Sequence, residues 1–128
     1  MIRGLNKVMI IGYLGRDPEM RFTPKGISVA NFSIAYHHTW ETSDGDKRED
    51  TEWFNVVAWG KLAEIAKNFM QKGNMVYVEG RLQSRKWQDN KGQQQHSIEI
   101  VASDLLLLNG QKNKTENNHD SEDMASLG

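Results

Sequence analysis

Strand-like runs fill most of the first 108 residues, and a single segment departs from that pattern. Turn-forming residues separate the runs at 23–26, 43–46 and 89–92, where Pro, Gly, Asn and Asp favour tight hairpins. In residues 61–72 the apolar side chains instead recur at helical spacing, and Gly73 follows at a position suited to a helix C-cap. The chain is therefore predicted to run through three strand regions, one helix and two more strands.

This order of elements indicates a fold class. The predicted strands cover residues 6–14, 19–22 together with 27–40, 49–59, 75–87 and 94–108. An all-β, five-stranded barrel with one helix between strands 3 and 4 is the OB-fold. OB-folds commonly bind oligonucleotides or oligosaccharides, and the fold alone does not decide between them.

The chain is expected to form one domain followed by a tail. Its 128 residues suffice for one hydrophobic core, which we place in residues 1–110. Residues 111–128 carry two Lys and four Asp or Glu among mostly polar neighbours, so we predict a disordered acidic tail. The apolar run at 8–11 is too short for a membrane span and lacks a cleavage site, so a soluble protein is expected.

Four tryptophans are the candidate functional residues of the domain. Because side chains alternate across a strand, Trp53 and Trp59 share one side, opposite the apolar Phe54, Val56 and Ala58. An outward-facing ring suits base stacking, whereas the alternative is that each Trp is a packing residue. A small barrel has little room for four packed tryptophans, which favours stacking.

The strand predicted at 75–87 repeats this arrangement. Its even positions are expected in the core and its odd positions outside; the predicted core residues are Val76, Val78 and Leu82, and the outer ones include Tyr77, Arg81, Arg85 and Trp87. Arg85 and Lys86 stand beside Trp87, and rings interleaved with guanidinium groups can stack bases while tracking phosphates. A β-bulge would invert this assignment locally.

The first strand is apolar on both sides. Val8, Ile10 and Leu14 share one face, whereas Met9, Ile11 and Tyr13, with Leu5 before them, share the other. A barrel strand buries only one face in its own core. The second apolar face therefore predicts contact with another subunit, and cover by the chain's own helix or loops is the alternative.

The sequence offers no catalytic constellation, so an enzyme is not expected and neither is a cofactor or metal. It contains no Cys, and His37 and His38 are adjacent, which points them to opposite faces of a strand. No phosphate-binding glycine loop or nucleophile elbow is present. The net charge of −1 means that any basic surface must be a local arrangement.

A series of motifs resembles the bacterial single-stranded DNA-binding protein family. The matching segments run in the family's order and span about residues 1–108; they are Arg3-Gly4-Leu5-Asn6-Lys7-Val8, Gly12-Tyr13-Leu14-Gly15-Arg16-Asp17-Pro18-Glu19, Val29-Ala30-Asn31-Phe32, Thr51-Glu52-Trp53, Gly60-Lys61-Leu62-Ala63-Glu64, Lys72-Gly73, Val76-Tyr77-Val78-Glu79-Gly80 and Arg85-Lys86-Trp87.

The resemblance implies an OB-fold homotetramer in the bacterial cytoplasm. It implies sequence-independent binding of single-stranded DNA during replication, recombination and repair. It places the stacking aromatics on Trp40, Trp53, Trp59 and Trp87. It places the phosphate contacts on Arg3, Lys7, Lys61, Lys72, Arg85 and Lys86.

Two departures from the family limit what the resemblance implies. Asn55 stands where the family often has a basic residue, which removes one expected phosphate contact. The tail is acidic but lacks the family's Pro-Phe tip, which argues against recruiting replication and repair proteins through it. The alternatives are an OB-fold accessory protein of replication restart and an OB-fold module that binds no nucleic acid.

Overall fold

The computed structural model describes residues 3–109, which form six strands and one helix. In chain order these are β1 (Val8–Leu14), β2 (Glu19–Phe22), β3 (Ser28–Glu41), β4 (Lys47–Trp59), α1 (Lys61–Phe69), β5 (Met75–Gln88) and β6 (Gln94–Leu107). All three predicted hairpin turns lie between consecutive strands. The predicted acidic tail at 111–128 lies outside the described residues.

Five of the strands close into a barrel. The sheet runs β1-β5-β6-β4-β3-β2, and an additional pairing of β1 with β3 closes the ring. The β4–β6 pairing is parallel, and the others are antiparallel. The short β2 extends β3 outside the ring, and α1 connects the third and fourth barrel strands. The predicted five-stranded OB-fold barrel is confirmed.

The core lies inside the barrel and beneath α1. Its largest fully buried side chains are Phe32, Ile34, Val56, Met70, Val76, Val78 and Ile100. The helix contributes Ala63 and Ala66, both fully buried, because small side chains allow the helix to approach the strands closely. Within residues 3–109, no helix is long and apolar enough to cross a membrane.

The helix ends earlier than the sequence predicts. It stops at Phe69, and Met70 already has extended backbone angles while its N–H donates to the Ala66 carbonyl at 3.1 Å. The chain turns there because Met70 is buried in the core. Gly73 is therefore not the C-cap: it lies in the following turn, with a positive φ of 91°, and its N–H donates to the Leu14 carbonyl.

A bulge fixes the contact between β5 and β6. Glu79 pairs with Asp104 and Gly80 pairs with Ala102, which leaves Ser103 as an extra residue in β6. A Cβ at Gly80 would overlap the carbonyl of Val101, so the close approach requires glycine. The extra residue inverts the inward–outward alternation of side chains in β6 but not in β5. The predicted outer face of β5 is therefore retained.

Two long hairpins extend beyond the core. Every residue of β5 from Arg81 to Gln88 is exposed, as are most residues of β3 and β4 near their connecting turn. The prediction that Leu82 belongs to the core is wrong, because Leu82 lies past the barrel and is 44% exposed. The Asn6 side chain nevertheless fixes this strand, with 2.8 Å hydrogen bonds to both the N–H and the carbonyl of Leu82.

Candidate nucleic-acid interface

Three of the four tryptophans lie on the same outer face of the sheet. Trp53 and Trp59 are six residues apart on β4 and point the same way. The β4–β6 and β6–β5 registers bring Arg85 and Trp87 to that side. The exposed fractions of Trp53, Trp59 and Trp87 are 59%, 48% and 42%, so these rings are outside the core, as the alternation predicts.

A groove of about 310 Å³ crosses this outer face. Its floor is apolar, because Val29 and Val57 are buried there together with Val101. Trp59 and Phe22 contribute aromatic rings, and Phe22 is 65% exposed. The polar lining residues are Arg21, Thr23, Asn31, Arg85 and Glu99. The groove thus combines rings, cations and hydrogen-bonding groups in a space at the small end of ligand pockets.

Sequence reasoning missed part of this groove. It gave no role to Phe22, Asn31 or Glu99, which lie on three different strands. The turn at 23–26 was a usable signal, since a tight hairpin brings the end of β2 against the start of β3. No sequence pattern indicated that Glu99 would line a groove, because its approach to Asn31 depends on the β4–β6 pairing.

Trp53 packs against the barrel although more than half of it is exposed. A Cβ at Gly15 would overlap the six-membered ring of Trp53, and it would lie 3.3 Å from the Ser33 hydroxyl oxygen. The ring therefore rests directly on the glycine backbone. The absence of a side chain at Gly15 makes room for this ring, and 59% of Trp53 remains exposed to solvent.

Trp87 is positioned by a neighbour on its own strand. The guanidinium carbon of Arg85 lies 5.3 Å from the centre of the Trp87 ring, at cation–π distance. Lys86 points to the other side of the hairpin and pairs with His96. The sequence interpretation grouped Lys86 with Arg85 beside this ring, and the strand alternation separates them.

Trp40 lies on the opposite side of β3 from the groove. Its ring belongs to a stack with His38 at 5.2 Å and, beyond His38, Tyr36 at 5.4 Å between ring centres. Trp40 is 46% exposed. The His38 Nδ1 atom is buried and has no hydrogen-bond partner among residues 3–109. Trp40 therefore belongs to a separate aromatic strip on the β3–β4 hairpin.

The remaining predicted basic residues are exposed but do not line the groove. Arg3 precedes β1, and Lys61 begins α1 two residues after Trp59. Lys72 lies in the turn before β5, where its backbone N–H donates to Asp17 at 2.8 Å. Each side chain is free to reach solvent on the rim of the domain.

Lys7 is held on a different part of the surface. Its ammonium lies 3.2 Å from Glu79 Oε2, and the Tyr77 hydroxyl donates to Glu79 Oε1 at 2.6 Å. The hydrogen bond from Tyr77 and then the Lys7 ammonium hold the pKa of Glu79 below its ordinary value. The same hydrogen bond is the main cause that raises the pKa of Tyr77. Lys7 is thus paired with a carboxylate, whereas Arg85 lies against the Trp87 ring.

The outer side of β1 is apolar, as predicted. Met9, Ile11 and Tyr13 are 62%, 53% and 41% exposed. Across β5 the apolar surface continues to Leu106, which is 51% exposed. A second groove of about 250 Å³ lies beside Met9 and Ile11 and is also lined by Ile10, Tyr36 and Phe54.

No candidate metal centre is found in the described part of the chain, where no three His, Cys, Asp or Glu side chains come together suitably. His37 and His38 point to opposite sides of β3, as predicted. His37 Nδ1 lies 2.8 Å from the Thr51 hydroxyl, and His38 lies in the ring stack.

Comparisons with known proteins agree with this geometry. The sequence model described as the Single-strand binding protein family matches residues 5–108. The chain is 52% identical over 109 residues to Single-stranded DNA-binding protein 1 of Chlorobaculum tepidum, covering 84% of this chain and 67% of that protein. It is 49% identical over 106 residues to the Single-stranded DNA-binding protein of Neisseria meningitidis serogroup A, covering 83% and 61%. The chain thus spans about two thirds or less of the length of these relatives.

Solved structures are similar as well. A Plasmodium falciparum SSB in complex with ssDNA superposes with a TM-score of 0.78 at 32% identity, covering 85% of this chain and 99% of that one. A deletion mutant of the single-stranded DNA binding protein from Thermus aquaticus superposes with a TM-score of 0.76 at 32% identity, covering 86% and 53%.

Proposed function

Because the chain belongs to the single-strand binding protein family, we propose that it binds single-stranded DNA without sequence preference along the outer face described above. The observation that carries this proposal is the row of exposed Trp53, Trp59 and Trp87 beside Arg85. Stacking requires only the π-face that every base has, so such a row accepts any sequence. Duplex DNA keeps its bases stacked and hidden, so it is a poor ligand for these rings.

Binding uses two groups of side chains: aromatic rings that stack with bases and cations that contact phosphates. Trp40 offers a second stacking surface on the other side of β3, at the β3–β4 hairpin, where its ring is exposed beside His38. The phosphate backbone is contacted by cations that are exposed around the domain, namely Arg3, Lys7, Lys61, Lys72, Arg85 and Lys86. We expect the Lys7 contact to be the weakest of these, because Lys7 is already paired with Glu79.

The biological role follows from this mode of binding. The protein holds unwound DNA in the bacterial cytoplasm during replication, recombination and repair, and does no chemistry on it.

The active assembly is a homotetramer. The exposed apolar surface of Met9, Ile11, Tyr13 and Leu106 supports this proposal, since a monomer would leave it in water. Light scattering during size-exclusion chromatography should give about four times the chain mass of 14.7 kDa. A single species of chain mass at micromolar concentration would contradict the tetramer.

Tryptophan fluorescence tests the binding proposal directly. Adding oligo-dT should quench the emission, because bases stack on the exposed rings, whereas duplex DNA of the same length should change it little. Unchanged emission and no retention of labelled oligo-dT would contradict DNA binding and favour an OB-fold module for another ligand.

A further inference from the structure

Glu99 is an acidic residue on a surface that we propose binds a negatively charged nucleic acid. It lines the groove beside Arg85 and is half-buried, opposite Gln83 on β5. An ionised carboxylate repels phosphate and can only accept hydrogen bonds. Phosphate binding therefore does not explain an acidic side chain at this position.

The Glu99 carboxylate has no partner within the described residues. The ion pair found there joins Lys7 to Glu79, and Arg85 lies diagonal to Glu99 with its guanidinium carbon 5.3 Å from the centre of the Trp87 ring. No hydrogen bond from residues 3–109 reaches the Glu99 oxygens either. Its two oxygens therefore remain available to N–H donors of a ligand in the groove.

The rest of the groove fits a nucleobase. Trp59 and Phe22 offer ring faces, and the buried valines provide an apolar floor. Asn31 on β3 also lines the groove, and its side-chain amide supplies both hydrogen-bond donors and an acceptor. A base that stacks against the rings would turn its hydrogen-bonding edge towards the polar lining, where Glu99 is the acidic group.

The four bases differ in how they meet a carboxylate. Guanine presents two adjacent donors, N1–H and the N2 amino group, which match two carboxylate oxygens. Cytosine and adenine present an amino group beside a ring-nitrogen acceptor that repels the second oxygen, and thymine presents one N–H between two carbonyls. A free carboxylate in a base pocket therefore favours guanine.

We propose that the groove holds one base of the bound strand and that Glu99 gives this position a preference for guanine. The preference rests on the proposed function and acts within it: most of the affinity comes from stacking and phosphate contacts, and one position is biased. Glu99 is thus a specificity-determining residue in an otherwise sequence-tolerant surface.

The test compares oligonucleotides that differ at one base. The probes are oligo-dT of about twelve nucleotides, within the range bound by one OB-fold, and the same oligomer with one central dG, dI, dC or dA. A single dG avoids guanine self-association. The dG oligomer should bind roughly five-fold more tightly than oligo-dT, the lower end for a bidentate contact. Inosine, which lacks the N2 amino group, should lose most of that gain.

The variant Glu99→Gln should remove the dG preference, because an amide offers one acceptor instead of two. Its affinity for oligo-dT should rise slightly, since a negative charge has gone. Glu64→Gln is the matched control: it removes an equal charge from the exposed side of α1, outside the groove, and should keep the preference.

Three results would overturn the inference. One is an equal affinity of the wild-type protein for dG and dT oligomers, and another is a dG preference that persists in Glu99→Gln. The third is an equal gain for dI, which would exclude the contact with N2. Failure of the wild-type protein to bind oligo-dT at all would instead overturn the proposed function, so the two failures are distinguishable.

Discussion

The barrel and its two projecting hairpins position their tryptophans by different means. In the barrel, Trp53 rests on Gly15, a residue 38 positions earlier in the chain, and Trp59 borders a floor of buried valines. In the hairpins, Trp40 stacks on His38 and Trp87 lies under Arg85, each only two residues away. Binding and stability should therefore be coupled in the barrel and separable in the hairpins.

The largest difference in stability between the barrel and the hairpins is expected for glycine substitutions. Gly80→Ala should destabilise the protein by ~3 kcal/mol, because its Cβ would overlap the Val101 carbonyl inside a tightly paired bulge. Gly92→Ala, at the β5–β6 turn, meets no atom within 4 Å and should cost only ~1–2 kcal/mol for its positive φ. Urea unfolding at a fixed protein concentration measures both. Equal decreases in the free energy of unfolding would show that the hairpin tip is as constrained as the barrel.

Tryptophan substitutions test the coupling itself. Trp53→Ala and Trp87→Ala should each weaken oligo-dT binding by ~1–3 kcal/mol, since each removes one stacking ring. Only Trp53→Ala should also lower the melting temperature, because only that ring packs on the barrel. Calorimetric titration and thermal unfolding of the same samples provide the comparison. A large drop in stability for Trp87→Ala would mean that the hairpin ring is a packing residue.

A smaller effect is expected when Trp53 is displaced rather than removed. Gly15→Ala introduces a methyl group where the ring lies, so the ring must tilt away and bind bases less well, by ~1 kcal/mol. The control is Gly4→Ala, where a Cβ meets nothing within 4 Å. If Gly15→Ala binds oligo-dT like the wild type, the contact of Trp53 with Gly15 does not matter for stacking.

Charge on the hairpin should affect salt dependence more than affinity at a single salt concentration. Lys86→Gln should reduce the slope of log K against log salt by about 0.7, the contribution of one phosphate contact on a single strand. Lys25→Gln, in the β2–β3 turn, provides an exposed control with the same loss of charge. An unchanged slope for Lys86→Gln would exclude Lys86 from the phosphate path.

The smallest effect concerns the Lys7–Glu79 pair on the barrel. The pKa of Glu79 is lowered in the folded protein, so its contribution to stability is present above the pKa of the unfolded chain and is lost as pH falls through the folded value. Melting temperatures measured from neutral to acidic pH should fall less steeply in Glu79→Gln than in the wild type. Parallel profiles would show that the pair does not contribute to acid stability.

Several features of the site follow from the sequence alone. The three turns and the outward tryptophans depend on local rules: turn residues restrict the backbone, and alternation assigns each side chain to a face. The separation of Lys86 from Arg85 follows from the same alternation. The early end of α1 does not, because it reflects the burial of Met70 in a core that the helical pattern does not describe.

The groove and the length of the hairpins depend on how the strands pair in the folded barrel. Alternation places Leu82 on the core side of β5, yet the barrel ends at Gly80 and leaves Leu82 in solvent. Phe22 and Glu99 meet in one groove because closure of the barrel sets β2, β3, β4 and β6 side by side, including one parallel pairing. Alternation assigns the side chains of each strand to two opposite faces of the sheet, since that depends only on neighbours along the chain. Which outward residues become neighbours depends on strand order and register, which only the closed barrel fixes.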